Sequence, residues 1–302
     1  MRFDEDRASL PRWVYILVLI SATVIWGGNF VVAKGAVEQV GGAWVTGIRF
    51  LTAGFVMLAV FFPRIKKAIT ADLVKAGVII GVFSCLGYGF QFWGLEGTTP
   101  SKNAFLSACY CVTVPFIWWL VARRRPTGRN LLAAGVCLAG MALVTLNGEF
   151  TVSWGDGVSI LSAVLYGAEI VSIAMLLKDH DILAITAIQM ITSGILAIVG
   201  GMLTSGFPGV DVLTRPDFAM RLLYIILLGS CYATVAQNVA QKHLPPTEAS
   251  LLISLESVFG TVFSVIFYGE EMTLKLVLGF ALIFGSILLS ELGNGSLEKS
   301  EK

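Results

Sequence analysis

A chain of 302 residues that is 56% hydrophobic and 14% charged, with a mean hydropathy of +0.81, is not a soluble globular domain; such domains carry roughly a quarter charged residues. The net charge of +1 says nothing about partners, and no basic tract or aromatic-basic patch points to a nucleic-acid partner, so none is expected. No Gly-x-x-x-x-Gly-Lys-[Ser/Thr] stretch occurs, so the chain has no nucleotide site of that kind to drive it.

Apolar runs of membrane-spanning length recur along almost the whole chain, each needing about 20 residues to cross ~30 Å of hydrocarbon as a helix. Residues 1–12 mix Asp4, Glu5 and Asp6 with Arg2, Arg7 and Arg12, and the first apolar run passes Ala33 without a small-x-small cleavage site. They therefore read as a cytoplasmic leader before a retained helix, not a signal peptide. Spans are predicted at 13–33, 43–62, 74–95, 101–121, 129–147, 157–177, 182–203, 218–241, 247–268 and 273–292, with 293–302 as a polar, disordered cytoplasmic tail. The connectors hold most of the charge, and the longest, 204–217, is punctuated by Gly and Pro like a surface loop. With the N-terminus inside, fifteen of the 21 Lys and Arg fall on the cytoplasmic side and five outside, with Arg49 in a span. This bias predicts a multi-pass protein of the plasma membrane with both termini cytoplasmic.

Cys85, Cys109, Cys111, Cys137 and Cys231 all fall inside predicted spans, and the only histidines, His180 and His243, lie in or beside loops. The cysteines read as small apolar packing residues. No metal site, cofactor or catalytic pair is expected. An intramembrane enzyme is the least favoured alternative, behind a non-transporting scaffold or sensor.

The two halves echo each other. Ser84-Cys85, Gln91 and Pro100 recur with the same spacing as Ser230-Cys231, Gln237 and Pro246. Trp26-Gly27 is echoed by Tyr166-Gly167, and Ile48-Arg49 with Gly54 by Ile188-Gln189 with Gly194. The offset is 140 residues for the early spans and 146 after the longer loop. Two repeats, 13–148 and 155–292, follow from this register. Five helices per repeat is an odd number, so the second copy enters the membrane from the opposite side. The expected fold is an all-α membrane protein of ten transmembrane helices in two inverted-topology five-helix repeats, an architecture suited to alternating access.

These residues resemble the EamA-like branch of the drug/metabolite transporter superfamily, from Trp13 to Leu292. The resemblance rests on Trp26-Gly27-Gly28-Asn29-Phe30, on Arg49-Phe50, and on the stretch from Thr98 to Leu106. In the second half it rests on Pro246-Thr247-Glu248-Ala249, on Ser254 to Phe259, and on Gly269-Glu270. It implies a ten-helix bundle, cytoplasmic termini, and often export of amino acids or related metabolites.

Charged groups at membrane depth cost at least ~2.5–3.5 kcal/mol on insertion scales and so mark candidate sites. Arg49 is placed to hold a substrate carboxylate, with a salt bridge or topology anchor as the plainer role. Glu256 is expected to line the cavity or pair with Arg49, and stands opposite Tyr110 in the repeat register. Glu169 corresponds to Asn29, and its setting, Tyr166-Gly167-Ala168-Glu169, is similar to the first-helix glutamate that small multidrug resistance exporters use for proton coupling. It is the candidate proton site. Gln91, Gln189 and Gln237 join Asn29 as hydrogen-bonding candidates, while Trp26, Tyr88, Tyr110 and Tyr166 are candidate cavity walls. Interhelical hydrogen bonding is the default role for each amide taken singly. Gly27-Gly28 is expected to let helices bend or approach, Pro115 to kink its helix, and Gly135, Gly140, Gly279 and Gly285 to bring the fifth and tenth spans together as a scaffold or dimer face. The expected partners are a small-molecule substrate and the lipid bilayer, with monomer and homodimer both open.

Overall fold

The computed structural model describes residues 10–98, 100–123, 125–145, 153–268 and 273–298. Leader residues 1–9, Gly269-Glu270 of the second-half motif and residues 299–302 of the tail lie outside them, as does Thr99. Every regular element among the described residues is a helix.

Helix α1 (Arg12–Val40) runs well past its predicted end at 33, because nothing in Lys34 to Val40 breaks it. It stops at Gly41, whose φ of +82° is a conformation glycine adopts freely. Then follow α2 (Gly42–Val60), a short α3 (Phe62–Ala68) and α4 (Ala71–Glu96), which Thr70 caps by accepting the Leu73 N–H. The predicted fourth span is two helices, α5 (Pro100–Ala108) and α6 (Tyr110–Ala122). The break falls at Cys109, upstream of Pro115, which lies inside α6. After α7 (Gly128–Thr145), a capping box of Ser153 and Asp156 starts α8 (Trp154–Leu176), and Asp181 caps α9 (Ile182–Thr204). The long connector holds one turn, α10 (Val210–Leu213). The eighth span is composite: α11 (Pro216–Tyr224), a π-helical segment (Ile225–Tyr232) and α12 (Ala233–Gln241). The ninth divides at Ser254 into α13 (Pro246–Ile253) and α14 (Leu255–Tyr268). Finally, α15 (Leu274–Glu298) stays helical beyond 292, where a disordered tail was expected.

Seven stretches among the described residues are long and apolar enough to cross a membrane. The other three predicted spans fall on α7, on the divided α13–α14 and on α15, whose apolar helices are shorter. Leu120, Leu203, Leu288 and Trp13 are among many large apolar side chains left exposed, as a lipid-facing surface requires.

Packing respects the repeat register. Helix α1 lies on α12 and α14, while its counterpart α8 lies on α4 and α6. Counterparts α2 and α9 pack on each other antiparallel through small residues: a Cβ on Gly54 would meet Ile191, and one on Gly194 would meet Leu51. Each contact is the other moved by the 140-residue offset, so the two helices interlock about a two-fold axis. Gly27 brings α1 against α14, where an added Cβ would stand 2.6 Å from Phe259 Cβ. Its service is close approach, since α1 continues through it. Helices α7 and α15 meet at Gly140, against the Gly279 carbonyl and Ile283; Gly135 and Gly285 have no neighbour within 4 Å of a Cβ. Only part of that expected glycine contact therefore forms.

Candidate functional site

A cavity of about 480 Å³ runs from the middle of the bundle to the end where α1 and α4 finish. Its lining includes Val37, Gly41, Gly42 and Phe92, with the exposed Glu38 and Glu96 at the mouth. All eleven candidate residues from the sequence line it: Trp26 and Asn29 from α1, Arg49 from α2, Tyr88 and Gln91 from α4, Tyr110 from α6, Tyr166 and Glu169 from α8, Gln189 from α9, Gln237 from α12 and Glu256 from α14. Among the described residues, none of the lining comes from α7 or α15.

Arg49 is 2% exposed. Its Nε donates to Ser230 Oγ at 3.0 Å and its Nη2 to the Gly229 carbonyl at 3.3 Å. Trp26 Nε1 donates to the same carbonyl at 2.9 Å. That acceptor lies in the π-helical segment, where Ser230 Oγ bonds back five residues to the Ile225 carbonyl. Widening a helix to the π spacing disturbs the regular carbonyl ladder and is frequent at functional sites. The guanidinium also lies 4.5 Å from the Phe50 ring centroid and 4.9 Å from that of Tyr88, an arrangement that favours a cation in a poorly hydrated place. Glu256 is not its partner, contrary to one expectation: Glu256 Oε1 accepts from Tyr110 Oη at 3.0 Å. The helix breaks at Cys109 and Ser254 fall within two residues of this pair.

Glu169 accepts from Ser84 Oγ and, at 3.0 Å, from Gln189 Nε2, which also donates to Ser84 Oγ. Gln189 Oε1 accepts in turn from Asn238 Nδ2, which reaches Thr186 Oγ1 at 2.7 Å. Tyr166 donates to Gln91 Oε1 at 2.8 Å, and Asn103 fixes that turn of α4 by donating to the Gln91 carbonyl and to Ser159. The rings of Tyr88 and Tyr166 meet edge to face at 5.3 Å, and Phe50 adds a third ring beside Tyr88. Asn29 packs against Gly229, and its Oδ1 has no hydrogen-bond partner.

Several residues of the lining are not among the sequence candidates. Ser84 lines the cavity and its counterpart Ser230 holds Arg49 behind it; their recurrence beside Gln91 and Gln237 is the available signal. Asn103 sat inside the Thr98-to-Leu106 motif. Glu38 and Glu96 carried no signal beyond standing at the ends of apolar runs.

Contacts among the described residues close over the opposite end of the bundle. Arg12 pairs with Glu248, His243 stacks on Tyr15 with centroids 4.0 Å apart, and Lys242 Nζ donates to the His180 carbonyl at 3.1 Å. Burial and the neighbouring Lys242 hold the His243 imidazole below the ordinary histidine value, which favours the neutral ring in that stack.

The model of the EamA-like transporter family matches this chain twice, over residues 13–146 and 153–292. The chain belongs to the EamA-like transporter family. An uncharacterized transporter of Archaeoglobus fulgidus is 28% identical over 280 residues, covering 91% of this chain and 85% of the relative. The S-adenosylmethionine/S-adenosylhomocysteine transporter of Chlamydia muridarum is 23% identical, covering 86% of each. One crystal structure superposes with a TM-score of 0.77 at 17% identity, over 95% of this chain and 100% of that one, a likeness of fold. As a member of this family the protein is a multi-pass membrane transporter for a small molecule, and its relatives are named as transporters rather than enzymes.

Proposed function

We propose that this protein is a secondary transporter of the plasma membrane, both termini cytoplasmic, that exports amino acids or related small metabolites by alternating access. The observation that carries the reading is the cavity itself. It gathers a guanidinium, two carboxyls, five amides and a set of aromatic rings at mid-bundle, open at one end and closed over by side-chain contacts at the other. Arg49 holds the solute carboxylate and Glu256, oriented by Tyr110, its amine. Tyr88, Tyr166, Trp26 and Phe50 cover the apolar part, and Glu169 carries the coupled proton. The antiparallel interlock of α2 and α9 supports an inverted repeat of ten spans, in repeats 13–148 and 155–292, whose exchange of conformations opens the shut end. Helices α7 and α15, which contribute none of the described lining residues, serve as scaffold or as a dimer face.

A second reading is favoured by the aromatic walls and by the name of the Chlamydia relative: the same amino-acid group borne on an adenosine body. Flux in proteoliposomes decides between the two, using labelled amino acids, S-adenosylmethionine, sugars, organic acids and cationic dyes, with and without a pH gradient. Amino-acid flux that responds to the gradient supports the first reading. Flux confined to S-adenosylmethionine supports the second. Folded protein that moves none of these solutes is a scaffold or sensor instead.

A further inference from the structure

The open mouth has a counterpart at the shut end. In the repeat register, the Glu38 position of α1 becomes Lys178 at the end of α8, and the Glu96 position of α4 becomes Lys242 at the end of α12. The apolar positions beneath the rim translate likewise, Val37 to Leu177 and Phe92 to Asn238. Val37, Glu38, Phe92 and Glu96 all line the open cavity. Their counterparts split: Leu177 and Asn238 are fully buried, while Lys178 is exposed and Lys242 is half-buried and tied to the His180 carbonyl. Asn238 Oδ1 and both polar atoms of Gln241, one turn further on, are buried without a hydrogen-bond partner among the described residues. Buried polar groups are rarely left so. Groups of this kind, on the part of α12 where Asn238 meets α9, are suited to a surface that is wet in another state of the protein.

We infer that the shut end is the second mouth of the same pathway, lined by Lys178 and Lys242 where the open mouth is lined by Glu38 and Glu96, so that the two mouths present opposite charge to the solute. The inference rests on the alternating-access reading and adds a selectivity to it. Among the described residues, Arg64 holds Asp181 at 2.8 Å and Arg12 pairs with Glu248, so that Asp179 is the carboxylate left beside Lys178 and does not cancel the pair of lysines. A mouth of one sign raises the local concentration of the opposite sign. The basic mouth therefore collects solutes by a carboxylate, and the acidic mouth collects them by an ammonium. A zwitterion satisfies both, whereas a simple cation or anion is opposed at one of them. Opening the second mouth requires Lys242 to leave the His180 carbonyl, which turns its ammonium toward the path.

Side-specific thiol chemistry tests this in full-length protein in proteoliposomes, with the five native cysteines replaced and flux verified. Single cysteines are placed at Phe92 or Val37 for the open mouth, and at Asn238 or Leu177 for the second. Each is challenged with methanethiosulfonates bearing a sulfonate or a trimethylammonium group, with and without transported solute. The expected result is labelling of the second-mouth cysteines during turnover, with the sulfonate reagent favoured by roughly three- to tenfold. At Phe92→Cys the trimethylammonium reagent is favoured instead. Lys178→Gln with Lys242→Gln erases the first preference only, and Glu38→Gln with Glu96→Gln erases the second only. Two results overturn the inference: second-mouth cysteines that stay unreactive while flux continues, or preferences that ignore the lysines. Loss of all flux in the unmodified protein would strike the transport reading itself, a distinct outcome.

Discussion

The two halves place equivalent backbones around the cavity and then furnish them with opposite charge. In the first half, the neutral Asn29 stands on α1 and the cation Arg49 on α2. In the second half, the carboxyl of Glu169 stands on α8 and the neutral Gln189 on α9. Arg49 bonds Ser230, and Gln189 bonds Ser84, the same contact translated by the repeat register. A shared scaffold thus presents one polar pattern twice, and the side chains alone break its symmetry. The lesson is that repetition supplies the geometry and local substitution supplies the chemistry.

The comparison breaks most severely at Arg49. Arg49→Leu removes a charge-assisted donor worth about 1.5–3 kcal/mol and takes from Ser230 Oγ the donor it accepts from, while the Gly229 carbonyl keeps Trp26 Nε1. Amino-acid flux should fall about 10- to 100-fold, measured as initial rates in proteoliposomes, with Arg49→Lys recovering part of it. If flux of carboxylate solutes survives Arg49→Leu, the cation has no part in binding.

Glu169→Gln comes next. The amide still accepts from Ser84 and Gln189, so counterflow exchange should persist within about threefold, while gradient-driven accumulation is lost and the pH profile of flux flattens. An unchanged pH profile would remove Glu169 from the coupling step.

The helix interlock gives a smaller and more symmetric effect. Gly194→Ala drives a Cβ to 2.4 Å from the Leu51 amide nitrogen, and Gly54→Ala one to 2.6 Å from Ile191 Cγ1. Backbone cannot give way as a side chain can, so Gly194→Ala should cost more, about 2–3 kcal/mol against about 1–2. Thermal unfolding in detergent ranks them, and the reverse order would mean that the interface relaxes by moving α2.

Tyr110→Phe should have the mildest consequence. It deletes one hydrogen bond to Glu256 and leaves the ring packed near Tyr166, at about 1 kcal/mol. The expected change is a rise in KM of a few fold at unchanged maximal rate, visible in concentration series. A fall in maximal rate alone would assign the hydroxyl to conformational exchange rather than to binding.

Much of the site was legible because two signals coincided on the same residues. A charged or amide group at membrane depth is costly, and the repeat register said which of these groups stand at equivalent heights. Together they collected residues as far apart as Trp26 and Glu256 around one cavity. Local deviations of the backbone were not legible. Nothing in Leu106 to Val112 separates a continuous span from two helices broken at Cys109, because the bend is decided by what packs across it. The π spacing at Ile225–Tyr232 is equally silent, since an extra residue in a turn leaves apolar composition unchanged. The end of α1 at Val40 rather than 33 reflects the same limit: Lys34 and Glu38 look like a boundary, yet a helix continues until Gly41 releases it.

The bond between Tyr110 and Glu256 carries a historical implication. The two positions are related by the repeat register and touch each other, so each occupies the place where a segment meets its own copy. Had the halves once been separate identical chains paired about that two-fold axis, any residue there would have faced itself. A glutamate would then have met a glutamate, two carboxyls competing for one spot, and a tyrosine would have met a tyrosine with no acid to hold. Two copies in one chain, each free to diverge, can place a phenol donor against a carboxyl acceptor at that spot, a pairing that identical copies could not make with either residue.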